Sequence, residues 1–316
     1  MDLLARVRLL DGRVIEYAPT DTVCVTRDGA RTWENIPASA LRDHMRPDGT
    51  FGCMAPGVVA PVSVDGVFDE SALTGSDGIA ADPYAYGVCI AGWHIGHRAV
   101  YGPVVASAAA DVLDEALYMY RGSGTEVTTV AVHVSDDGKG APYVQLYEGY
   151  ASSKLALPEF LQALLASPIS QRRIAQEVFD APQSVRMEVL QGICDSIGSV
   201  DPVSFGTSHR VRLHMPVDDA TGLHNPGFVA DVHRLALLCG YEAFPISATA
   251  HHDAVREGRG WEDVCGVLDI CCAHARKMAL FARPDIEELF AATADLPNER
   301  ETEPYAVGIL CVDDLG

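Results

Sequence analysis

Apolar and polar residues alternate at period two through the first quarter of the chain. Leu3–Leu10, Arg13–Tyr17 and Thr22–Thr26 each follow this rhythm, which predicts strands. Asp11-Gly12 supplies a tight turn between the first two. Thr26–Trp33 reads as an ordinary hairpin connection. Residues 1–70 are therefore expected to form a β-rich N-terminal part. Residues 71–92 are rich in Gly, Ser, Asp and Tyr and read as a linker.

From residue 93 to 225 the period lengthens. In Val104–Tyr120, Val105, Ala109, Val112, Ala116 and Met119 recur at three and four, the stripe of a helix with one face on a core. Ser107, Asp111, Asp114, Glu115 and Tyr118 fall on a second stripe. A strand, Val127–Val134, runs into Asp136-Asp137-Gly138-Lys139-Gly140-Ala141-Pro142, and Tyr143–Tyr147 is a further strand. Helices are expected at Pro158–Ala166, Ser170–Phe179 and Gln183–Ile197, the last two split by Asp180-Ala181-Pro182. That pair reads as a packed helical hairpin in preference to a DNA-reading helix-turn-helix. Arg210–Met215 is a strand.

Residues 226–316 alternate again, as an α/β C-terminal part. Pro226–Leu238 is a helix closed by Gly240, and Tyr241–Ile246 a strand. A long helical stretch is expected over 250–281, broken near Gly258-Arg259-Gly260. Asp285–Ala294 is another helix and Tyr305–Val312 a closing strand. The fold class expected is α/β (α+β), helices layered on a mixed sheet.

Composition narrows the partners. Of 316 residues, 48% are hydrophobic and 21% charged, so a packed core is feasible. The net charge of −21 repels phosphate backbones. The densest basic spots are Arg172 with Arg173 and Arg210 with Arg212, and neither makes a stripe, so duplex DNA is not an expected partner. No basic start leads into an apolar run, and no run reaches the length of a membrane span. An intracellular setting is expected, cytoplasmic or within a virion, with the scattered cysteines reduced. Cys265, Cys271, Cys272 and His274 fall on the expected 250–281 helix among Val264, Val267, Leu268 and Ile270. Their spacing matches no common zinc module, and they read as small core residues.

The central segment carries the candidate chemistry. Asp111 and Glu115 stand at i,i+4, where like charges repel and a cation or basic partner would relieve them. Asp136-x-Gly138-x-Gly140 places a carboxylate at a strand end and removes two side chains beside it. A planar ligand can then approach the backbone, and the carboxylate can accept from an exocyclic amine. The competing reading is a plain hairpin, with Asp137-Gly138 as its turn.

This order of helix, strand and turn resembles the GHKL ATPase superfamily, most closely its gyrase-B-like ATPase domains. Asp114-Glu115-Ala116-Leu117 is similar to the end of that family's acidic helix. Asp136–Pro142 is similar to its Asp-Asp-Gly-Arg-Gly-Ile-Pro turn, and Phe205-Gly206-Thr207 before strand 210–215 to its Gly-Thr element. The resemblance spans residues 98–216. It implies that Asp136 accepts the adenine amino group and that Thr207 supports the same base through water. It implies too that Gly138 and Gly140 floor the pocket, and that Glu115 pairs with Lys139. The family's magnesium-binding Asn falls on Asp111, a plausible ligand. Its general-base Glu falls on Ser107, which does not take a proton from water at neutral pH. No glycine cluster resembling the family's ATP lid lies between 150 and 205, where Gly192 and Gly198 stand alone. The resemblance therefore implies a divergent ATP-binding protein with magnesium as its companion ion, weak or inactive in hydrolysis. The alternative is a non-enzymatic structural or assembly protein, viral among other origins. It would keep the fold without the nucleotide and act through a protein partner or as a homo-oligomer.

Overall fold

In the computed structural model, β1 (Leu4–Leu9) and β2 (Val14–Tyr17) form the predicted hairpin, with Arg8 opposite Val14. Gly12 sits at φ 85°, the left-handed region where a Cβ would be strained, and its N–H donates to Leu9 O at 3.0 Å. The residues described are 4–18, 20–27, 32–47, 50–57, 62–63, 67–76, 78, 80–91, 94–95, 99–103, 131–133, 143–147, 159–201, 210–217, 224–245, 262, 266–271, 279–282 and 306–315. They form helices and antiparallel sheets, an α+β architecture.

β3 (Thr22–Val25) pairs with β4 (Glu34–Pro37), Val25 opposite Glu34, as the hairpin reading of Thr26–Trp33 requires. The last strand, β14 (Ala306–Leu315), returns to the N-terminal sheet. It lies between β1 and β5 (Met54–Pro56) in the order β2-β1-β14-β5. Val7, Leu9, Val23, Val25, Leu41, Val307 and Ile309 make the core of this part. The linear division at 70, 93 and 226 is thus crossed by a strand from the far end of the chain.

The second core is larger and is built from both helices and strands. The segment read as a linker holds α1 (Pro83–Ile90), and this corrects the loop expectation. Asp82 caps it by accepting from Ala85 N at 2.9 Å, and Pro83 occupies its first turn. Seven of its residues, Tyr84 to Ile90, are buried. A helix covered on all sides needs no polar face, so it leaves no period of 3.6 to read. α2 (Glu159–Ala166), α3 (Gln176–Phe179) and α4 (Gln183–Ile197) follow, and α4 packs along α1.

The helix expected over Ser170–Phe179 is a 3-10 turn at Ile169–Gln171 and the single turn of α3. The intervening backbone is committed elsewhere. Ile174 N donates to Asp231 at 3.0 Å, and Ala175 N to the Tyr86 hydroxyl at 3.0 Å. Arg172 turns inward to the carbonyls of Cys89, Leu165 and Ser167, at the C-terminal ends of α1 and α2. Helical hydrogen bonds are replaced by tertiary ones.

α5 (Pro226–Leu238) matches its predicted bounds. Asn225 caps it, accepting from Phe228 N at 3.2 Å, and Gly240 at φ 80° ends it. Its sheet has the order β10-β11-β13-β12, from β10 (Gly198–Asp201), β11 (Arg210–His214), β13 (Val267–Cys271) and β12 (Glu242–Pro245). β13 overturns the long helix expected over 250–281, at least over these residues. Val-Leu-Asp-Ile-Cys is a short apolar run that period alone assigns to neither state. Pairing with β11 and β12 on both sides decides for the strand. Asp269 in its middle is buried and takes Arg212 Nε at 3.0 Å. His274, Cys265 and Cys272 lie outside the described residues, as do the helices expected at 104–120 and Asp285–Ala294.

Candidate functional site

A third sheet has the order β6-β7-β9-β8, from β6 (His94–Ile95), β7 (Ala99–Pro103), β9 (Tyr143–Tyr147) and β8 (Ala131–His133). β9 has the predicted bounds. β7 and β8 are each antiparallel to β9, so they run parallel to one another with β9 between them. Strands placed this way need a crossover connection of about a dozen residues or more, commonly a helix. Residues 104–130 are that connection, and the acidic helix expected over 104–120 falls within it.

The register fixes where the connection starts. Pro103 and His133 are both opposite Tyr143, so the three occupy one cross-strand row at one end of the sheet. The chain leaves β7 and β8 from that same end. The expected acidic helix and the Asp136-x-Gly138-x-Gly140 segment therefore both depart from the row Pro103–Tyr143–His133. The seven residues assigned by resemblance, Asp111, Glu115, Asp136, Gly138, Lys139, Gly140 and Thr207, lie outside the described residues, as does Ser107.

The strands flanking Thr207 are described. β10 and β11 pair antiparallel, with Asp201 opposite Arg210, so Phe205-Gly206-Thr207 lies in the link of a hairpin. That hairpin belongs to a different sheet from β8 and β9. The structure thus joins the roots of two of the three candidate segments and leaves the third on a separate sheet.

Buried polar groups not anticipated from the sequence surround α1 and α4. The Tyr84 hydroxyl donates to Asp195 Oδ2 at 2.8 Å, and Ala282 N donates to the same oxygen at 3.1 Å. Asp231 on α5 takes both Nε and Nη2 of Arg173, at 2.7 and 2.8 Å. Burial pushes the Tyr86 hydroxyl up from its ordinary range, and the Cys89 thiol up to about 12. It also pulls Arg172 down to about 10. A thiol and a phenol held protonated at neutral pH are poor nucleophiles, so these groups serve packing and helix capping. Asp195 stands beside Ser196 on a helix of mixed composition, so the sequence carried no signal for its burial.

Among the described residues there is no group of three or more His, Cys, Asp and Glu able to hold a metal ion. No described helix is long and apolar enough to cross a membrane. No protein-family model matches the chain, and no curated protein matches it.

Proposed function

We propose that this chain is a divergent adenine-nucleotide-binding protein of the GHKL kind, with weak or no hydrolysis. The observation that supports it is the row Pro103–Tyr143–His133, from which the acidic helix segment and the Asp136 turn both depart. In this reading the two segments are the facing walls of one ligand pocket. In this reading Asp136 accepts the adenine amino group, with Gly138 and Gly140 leaving room for the base. Thr207 adds support to the base, and Glu115 orders Lys139. Asp111 would hold the magnesium ion, which would screen the phosphate charge. With Ser107 where the family has its general base, water is not activated, so binding outlasts turnover.

Calorimetry on the full chain with magnesium and millimolar ATP or ADP tests it. Binding heat is expected for the wild type and for Asp137→Asn. Loss of the charge-assisted bond in Asp136→Asn should cost about 1.5–3 kcal/mol, roughly ten- to a hundredfold in affinity. No heat from a demonstrably folded wild type sinks the nucleotide reading and leaves the structural or assembly protein.

A further inference from the structure

The two apolar cores divide the chain unevenly. One draws on residues from Val7 to Ala55 and then on Val307 and Ile309 of β14. The other draws on residues from Leu73 to Phe281. Among the described residues, no buried one belongs to both. β14 is a middle strand of its sheet, antiparallel to β1 over Leu4–Leu9 and to β5 over Met54–Pro56. Without it β1 and β5 have no direct pairing, and Val7 and Leu9 lose the residues opposite them, Val312 and Ile309. Two side-chain links add to the ladder. Arg8 Nε donates to Asp313 Oδ2 at 3.2 Å, and Arg42 Nη2 donates to Val312 O at 3.2 Å. The two ends of the chain therefore build one body, and the segment that builds the second core is inserted between β5 and β14.

The contact between the two bodies contains bonds of a different kind. His233 on α5 donates through Nε2 to Asp11 O of the β1–β2 turn, Arg186 Nη2 donates to Val62 O, and Val62 N donates to Leu238 O at 2.9 Å. Each is a hydrogen bond to main chain that water can replace, whereas each body is held inside by apolar burial. Val62 is 46% exposed and Val67 98%, so these residues of the connector add little burial to the contact. We propose that the paired chain ends are one cooperative module that opens and closes independently of the second core, with β14 as its clasp. Opening breaks polar links at α5 and the connector, and each side keeps its own hydrophobic cluster. A change in β14 therefore acts on β1 and β5, far away in sequence, and not on α5. A linear division of the chain gives the opposite grouping, with β14 joined to α5 and β13.

Amide hydrogen exchange on the full chain tests this, with Ile309→Ala as the probe because Ile309 is buried opposite Leu9. Truncating a buried isoleucine lowers the stability of the unit that holds it. Protection in Leu4–Leu9 and Thr22–Val25 should fall at least about tenfold, while protection in α4 and α5 should hold. An equal fall in α4 and α5 would make the chain one cooperative body and overturn the module. Unchanged protection in Leu4–Leu9 would overturn it too, whether or not α5 changes. If Ile309→Ala does not fold, the wild type decides by exchange in rising denaturant below the unfolding transition. β1 and β14 should open with one shared free energy, different from that of α4 and α5. A single value for all four elements, or β14 opening with α5, refutes the proposal.

Discussion

Gly87 of α1 and Gly192 of α4 face each other where the two helices cross. A Cβ built on Gly87 would lie 2.2 Å from Val189 O and 3.2 Å from the Gly192 Cα. One built on Gly192 would lie 2.2 Å from Tyr84 O and 3.1 Å from the Gly87 carbonyl carbon. Main chain meets main chain here, so no side chain can swing aside. Gly192 is thus a packing residue.

Gly87→Ala and Gly192→Ala should each destabilise the protein by about 1–3 kcal/mol or more, because the helices must separate to admit a methyl group. Urea unfolding measures this. Gly266→Ala is the contrast, since its nearest new neighbour is His224 Nδ1 at 3.8 Å. It should change stability by no more than about 0.5 kcal/mol.

Arg172 bridges the ends of two helices, donating to Ser167 O at 3.1 Å, Cys89 O at 3.0 Å and Leu165 O at 3.3 Å. Arg172→Met keeps the apolar stem and removes every donor. Buried carbonyls left without partners cost about 1–3 kcal/mol each, so a loss of at least about 2 kcal/mol is expected. Arg172→Lys should fall between, because an ammonium lacks the guanidinium fork. A Met variant as stable as wild type would show that the carbonyls find other donors.

Glu188 on α4 has its carboxyl raised above the ordinary range by desolvation and, after that, by the Asp82 carboxylate. The folded state holds this proton to higher pH than the unfolded chain does. Stability is therefore lost as pH rises from the ordinary carboxylate range through the folded-state value. Glu188→Gln should stabilise the protein at pH 7.5 by a small amount, no more than about 0.5 kcal/mol at this exposed position, read as a raised melting temperature. The gain should vanish as pH is lowered toward 4, and a gain that persists there would assign it to packing.

Duplex DNA should not bind at physiological salt. Three of the four arginines in the basic pairs have partners within the chain. Arg172 is buried against carbonyls, Arg173 is clamped to Asp231, and Arg212 pairs with Asp269. The net charge of −21 opposes approach. A salt-dependent mobility shift at micromolar protein would reverse this.

Local signals determined much of this protein. The period-two runs specified β1, β2 and β3, and Asp11-Gly12 specified their turn because few residues other than glycine accept φ 85°. Asn225-Pro226 and Gly240 marked both ends of α5. The strand read at Tyr143–Tyr147 is β9. These features rest on neighbours in the chain, so the sequence carries them alone. What it does not carry is burial by distant segments. Pro83–Ile90 has no polar face because α4 and other core elements enclose it. Val267–Cys271 is a strand because β11 and β12 flank it. Arg172 and Asp231 draw the 172–175 backbone out of the helix expected there. The candidate site divides the same way. Its residue types were legible in Asp136–Gly140 and the acidic stripe of Asp111 and Glu115. That their segments leave one sheet end was set only by the pairing of β7 and β8 with β9, a relation between strands far apart in sequence.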